Sequence, residues 1–165
     1  AVGAVYLALR APWFRDLEAW SAQPLTGLVT SGRTSHVDQR AVVLFGLGTT
    51  GARGLRVTAE CSALALVLPI VALAAFLVGF GRRFSVTRVL VAGLGAGTVI
   101  LTVNTIRIAL IAAATQRWGA EGYEITPLFV GSLVSLIGFS LGLIAGFKIL
   151  TSGDVVTHRI PDAIR

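Results

Sequence analysis

Apolar and polar positions alternate on a coarse scale along this chain, in blocks rather than residue by residue. Ser62 to Phe80, Val89 to about Ala114 and Pro127 to about Leu150 are continuous apolar runs broken only by Gly, Ser, Thr and a few polar side chains. Each approaches or exceeds the roughly 20 residues that cross a bilayer as a helix. A fourth run, Ala1 to Leu9, is too short to cross and ends at Arg10, Pro12 and Trp13, an interfacial finish. The pattern predicts an all-α, polytopic transmembrane helix bundle, with three full spans plus a truncated N-terminal span. Four segments follow: the truncated helix at 1–9, an extracytoplasmic or interfacial polar segment at 10–60, a three-helix transmembrane core at 61–150, and a cytoplasmic tail at 151–165.

Between the runs the pattern changes character. Asp16-Leu17-Glu18-Ala19-Trp20 reads as an interfacial helix. Ala41–Gly48 is apolar but short, so it is expected to lie on the membrane or dip into it. Thr49–Gly54 reads as a turn, and Leu55-Arg56-Val57-Thr58 alternates as a short strand does. Gly81–Arg88 reads as a tight basic loop and Gln116–Glu124 as a polar one. Pro69 is expected to kink the first span, and Pro127 sits acceptably in the first turn of the third. Gly93 and Gly97, then Gly131, Ser135, Gly138, Gly142 and Gly146, form small-residue stripes through which helices can approach closely.

Composition agrees with the blocks. The 165 residues are 55% hydrophobic and 13% charged, with a mean hydropathy of +0.81, which is the range of membrane proteins. The chain contains no Met and starts inside an apolar run, so it is expected to lack its N-terminal part. The net charge of +6 is scattered around the spans without a basic stripe, which argues against a nucleic-acid partner and for the lipid bilayer. One cysteine, Cys61, excludes an internal disulfide. No His, Cys and carboxylate cluster has metal-ligand spacing, and neither metal nor cofactor is expected.

Against this background, Arg107 is the conspicuous residue. A guanidinium cannot shed its charge, and placing one in a span costs roughly 2.5–3.5 kcal/mol on insertion scales. Asn104 precedes it by three residues and shares its helix face. Helix direction supplies a partner: Cys61 opens the first full span, the basic loop lies at the opposite membrane face, and the second span returns. Cys61, Arg107 and the start of the third span therefore reach one face. A Cys at a helix N-terminus meets the positive end of the helix dipole, a setting that suits a nucleophilic thiol. Under the positive-inside rule, Arg82, Arg83 and Arg88 place the loop in the cytoplasm and Cys61 outward, in the plasma membrane. On the residues alone, Cys61 is also open to a packing role at a helix start, and Arg107 to a structural ion pair or carbonyl cap that holds the bundle together.

Glu60-Cys61-Ser62-Ala63-Leu64 opening a span, followed by Asn104-Thr105-Ile106-Arg107-Ile108-Ala109 near the end of the next, resembles the exosortase/archaeosortase family. The likeness runs from about Leu17 to Leu150. The resemblance implies a membrane-embedded cysteine protease or transpeptidase acting on membrane proteins that carry a C-terminal sorting signal. It implies that Cys61 is the nucleophile, that Arg107 stabilises the oxyanion or orients substrate, and that Asn104 and Ser62 support them. The family's third element, a His opening the following span, is replaced here by Pro127 and Leu128, and Ala63 stands where the family commonly has Gly. His36, followed by Asp38, and Glu124 are the remaining candidate bases. The alternatives are a catalytically degenerate homologue and a non-enzymatic membrane protein, either a sorting-signal receptor or a transporter fragment.

Overall fold

The computed structural model of the chain describes residues 12–80 and 85–152. The expected truncated helix at 1–9, Arg82 and Arg83 of the basic loop, and the tail with His158 lie outside the described residues.

The described residues form four helices and one small sheet. Helix α1 (Pro12–Val29) leads into strands β1 (Arg33–Val37), β2 (Val42–Leu47) and β3 (Arg53–Arg56). A 3-10 turn (Ala59–Cys61) precedes α2 (Leu64–Phe80), and α3 (Val86–Thr126) follows. One π-helical turn (Pro127–Gly131) then joins α3 to α4 (Ser132–Thr151). The strands form an antiparallel sheet in the order β1-β2-β3, with His36 opposite Val43 and Leu44 opposite Gly54.

Helix α3 is the mast on which everything else packs. At its N-terminal end Val89 and Ala92 meet Leu150, with Leu77 and Ile149 beside them. A middle tier joins Ala63 and Ile70 to Ala96 and Ile100. At the C-terminal end, Ile108, Ile111 and Ala112 of α3 meet Ala19 and Ala22 of α1 and Val43, Phe45, Leu55 and Val57 of the sheet segment. Helices α2 and α4 thus flank the lower half of the mast, and α1 with the sheet covers the upper half. Gln116 fixes the upper contact: its amide accepts from the Ser31 N–H at 2.8 Å and donates to the Ser31 carbonyl at 3.0 Å.

Helix α4 meets α3 along its glycines. A Cβ on Gly138 would stand 2.6 Å from Val103 Cγ1, and one on Gly142 would stand 2.9 Å from Ile100 Cγ1 and 3.2 Å from the Ala96 carbonyl. Gly146 faces Ala92 and Ala96 in the same way. The outer faces are apolar and exposed, as at Phe76, Leu94, Ile137, Leu141 and Ile144. In water such a surface is a liability; against hydrocarbon it is matched to its solvent. Val86–Tyr123 and Phe129–Thr151 are long and apolar enough to cross a membrane, and Leu64–Gly79 is an apolar helix below that length.

Three expectations need correcting. The fold is mostly helical rather than all-α, because 33–56 forms a sheet; Ala41–Gly48 is its central strand, buried by pairing and by α1, not laid on the membrane. Gln116–Glu124 is helical, interrupted only at Gly119, whose φ of 67° and ψ of −136° break the helix where a residue with a Cβ would be strained.

Candidate active site

The site lies where the middle and upper tiers meet. Thr58 accepts from the Cys61 N–H at 3.1 Å and Ala59 from the Ser62 N–H at 3.3 Å, which tightens the chain just before α2. Ser62 Oγ accepts from the Leu64 N–H at 3.3 Å and so caps α2's first turn. Cys61 is half-buried against the upper cluster that contains Ile108 and Ile111, while Ala63 belongs to the middle cluster. The Cys-Ser turn therefore spans the seam between tiers.

Asn104 and Arg107 lie at the same level on α3. Asn104 is buried, and its Nδ2 donates to Glu18 Oε1 at 2.9 Å. Glu18, on α1, is 3% exposed, and the same oxygen accepts from the Ala63 N–H at 2.6 Å. The Ser62 hydroxyl hydrogen-bonds to this carboxyl as well. Burial pushes the Glu18 carboxyl above its ordinary range; the hydrogen bonds from Ser62, Ala63 and Asn104 and the Arg107 charge oppose that rise without cancelling it.

Arg107 reaches toward α4. A Cβ on Gly131 would stand 2.9 Å from Arg107 Nε, so the glycine makes room for the guanidinium. That Nε is buried and has no hydrogen-bond partner. Arg107 floors an open cleft of about 350 Å³ with Ser62 and Leu66 on one wall and Ser132, Ser135 and Phe139 on the other. Behind it, the gap bounded by Asn104, Val103 and Gly138 leaves no room for water. The cleft thus presents one cation at its floor and three hydroxyl-bearing residues on its walls, backed by a gap that holds no water. Such a surface favours an oxygen that carries or develops negative charge.

His36 is committed elsewhere. On β1, its Nε2 lies 3.0 Å from Asp16 Oδ1 and its Nδ1 lies 3.2 Å from Asp38 Oδ1. Only the doubly protonated ring donates to both. Burial would raise the Asp16 carboxyl, but hydrogen bonds from His36 and from the Gln39 and Ala41 N–H groups outweigh it and hold the group below its ordinary value. Asp16, His36 and Asp38 each offer one ligand atom within 4.8 Å of the others, a metal-compatible spacing assembled from distant positions that the sequence did not reveal. The set is closed by its own ion pairs. Glu124 lies in the short helical stretch after Gly119, and its side chain is outside the described residues.

Glu18, Ser132 and Ser135 complete the site; Glu18 and Ser132 escaped sequence reading, and Ser135 was read only as a small packing residue. The usable signal for Glu18 is its spacing to Ala22 and Thr26, four and eight residues on, which marks a close-packed helix face with an acid on it.

These features define a membrane protein with a polar cleft at one end of an apolar helix bundle. A family model for the transmembrane exosortases (Exosortase_EpsH) matches residues 2–145, and the chain belongs to that family. Comparison with curated proteins and with solved structures returns no match.

Proposed function

We propose that the chain is a multi-pass enzyme of the plasma membrane that processes membrane proteins carrying a C-terminal sorting signal, with Cys61 as nucleophile. The observation that carries this reading is the guanidinium of Arg107, unpartnered at Nε, in one cleft with Ser62, the residue next to Cys61. The Cys61 thiolate attacks a substrate peptide carbonyl, and Arg107 donates to the oxygen on which charge develops. The amine leaves, and a thioester remains for water or an amine acceptor to resolve. Among the described residues the cleft's lining holds no histidine, so in this reading the thiol proton passes to water and the leaving amine takes one from water. A missing general acid/base typically lowers rate by about 10²–10⁴-fold, and the proposed enzyme is correspondingly slow.

In this reading α2, α3 and α4 are the three spans and α1 with the sheet stands outside the cell. Val86 to Arg107 is 22 residues of helix, about 32 Å at about 1.5 Å per residue, close to the thickness of the hydrocarbon core. Arg107 thus stands at the outer boundary, where a charge is less costly than at mid-membrane.

The absence of a proton-transfer side chain at Pro127 and Leu128 favours one other reading, a receptor that binds the signal without cutting it. Co-expression with a membrane protein bearing a sorting signal separates the two. Processing that stops in Cys61→Ala, together with a hydroxylamine-sensitive adduct on Cys61, supports the enzyme. Full processing by Cys61→Ala ends the catalytic reading, and capture of uncut substrate by wild type establishes the receptor.

A further inference from the structure

We propose that Glu18 is the positioning residue of this site: from α1, its carboxylate fixes the Cys61-Ser62-Ala63 turn against the Asn104–Arg107 face of α3. The inference rests on the assignment of the cleft as the active site and names a residue outside the Cys-Ser and Asn-x-x-Arg elements.

Two elements distant in sequence supply donors to one buried carboxylate on α1: the Ala63 N–H at 2.6 Å and the Ser62 hydroxyl from the turn, and Asn104 Nδ2 at 2.9 Å from α3. An isolated buried carboxylate is costly, whereas one that accepts several N–H and O–H bonds becomes a rigid, directional joint. Its other oxygen is also buried and has no hydrogen-bond partner. Arg107 Nε, equally buried and unpartnered, carries the opposite charge and attracts it. The carboxylate's charge therefore acts on the guanidinium from the side of the Cys-Ser turn, while Gly131 leaves it room on the side of α4. Asn104 acts on Arg107 through Glu18 rather than by touching it. The helix outside the membrane is thereby part of the site.

The test uses the full chain in nanodiscs and the alkylation rate of Cys61 by N-ethylmaleimide, which reads one residue because Cys61 is the only cysteine. Freed from its joint, the turn exposes the half-buried thiol, so Glu18→Ala is expected to speed alkylation at least about fivefold well below the melting temperature. Asn104→Ala shifts the rate in the same direction. The double variant goes no further than the larger single one, because both changes break one joint. Glu18→Gln keeps an oxygen acceptor and stays closer to wild type than Glu18→Ala. In the processing assay Glu18→Ala lowers kcat with little change in KM.

A side chain that only stabilised the fold would lower the melting temperature and leave the alkylation rate unmoved. That result, or single effects that multiply in the double variant, overturns the proposal. Should Glu18→Ala fail to fold, Glu18→Gln and Asn104→Ala decide it, since a wild-type rate in both also overturns it. Alkylation needs no substrate. A failure of Cys61→Ala to stop processing would therefore sink the active-site reading while leaving the joint intact.

Discussion

Arg107 owes its geometry to a missing side chain. Gly131 leaves open the space that a Cβ would take 2.9 Å from Arg107 Nε. The side chain that must yield to Gly131→Ala is long and flexible, so the variant is expected to fold with a melting temperature near wild type. Its guanidinium, however, is displaced from the cleft, and processing is expected to fall by about 10²-fold, in line with loss of one oxyanion donor. Comparing melting temperature with turnover for Gly131→Ala checks this; equal turnover would mean that Arg107 does not act from that position. Polar side chains in apolar runs were legible because their cost demands a reason, as with Cys61, Ser62, Asn104 and Arg107. Glu18 was not, because an acid in a polar stretch looks solvated until α3 and the Cys-Ser turn close over it.

Elements declared themselves according to how far their signal was local. The three apolar runs became α2, α3 and α4; two of these helices are long and apolar enough to cross a membrane, where the backbone has no option but internal hydrogen bonds. The sheet was harder: only Leu55–Thr58 alternated, and Val42–Leu47 reads as a continuous apolar run although only Val43 and Phe45 join the core with α1, Val42 and Leu44 being half-buried. The helix through Gln116–Glu124 was hidden by polarity, since the upper end of α3 stands beside α1 and the sheet, not lipid. Where α4 meets α3, the contact tolerates no added volume. Gly142→Val would drive a side chain onto Ile100 and the Ala96 carbonyl. The cost is expected to be about 1–3 kcal/mol, as for overpacking generally. A lower unfolding midpoint in detergent, with Gly97→Val as a control where nothing lies within 4 Å, measures it.

For the whole molecule, the two carboxyls of α1 set opposite dependences on pH. Asp16 is held below its ordinary value of 3.8, so its contribution is complete above that value and is lost only as pH falls through the lower, folded one. Glu18 is raised above its ordinary 4.5, so the folded state binds that proton more tightly. Stability linked to Glu18 is full below 4.5 and declines as pH rises through the folded value. Wild type is therefore expected to gain on Glu18→Gln as pH is lowered from 7 toward 4.5. Unfolding midpoints of the two proteins across that interval provide the measurement, and parallel curves would contradict it.

The bond between Glu18 and Asn104 also joins residues 86 positions apart. A ribosome delivers the acid, the sheet and the cysteine turn well before the amide that completes them. Closing so long a loop comes late in assembly, after the local helices have formed. A nascent chain halted before Asn104 is thus expected to react with maleimide at Cys61 as fast as Glu18→Ala does. The chain's chemistry would then be timed by its own synthesis: the thiol is set in place only after the last partner of the joint has entered the membrane.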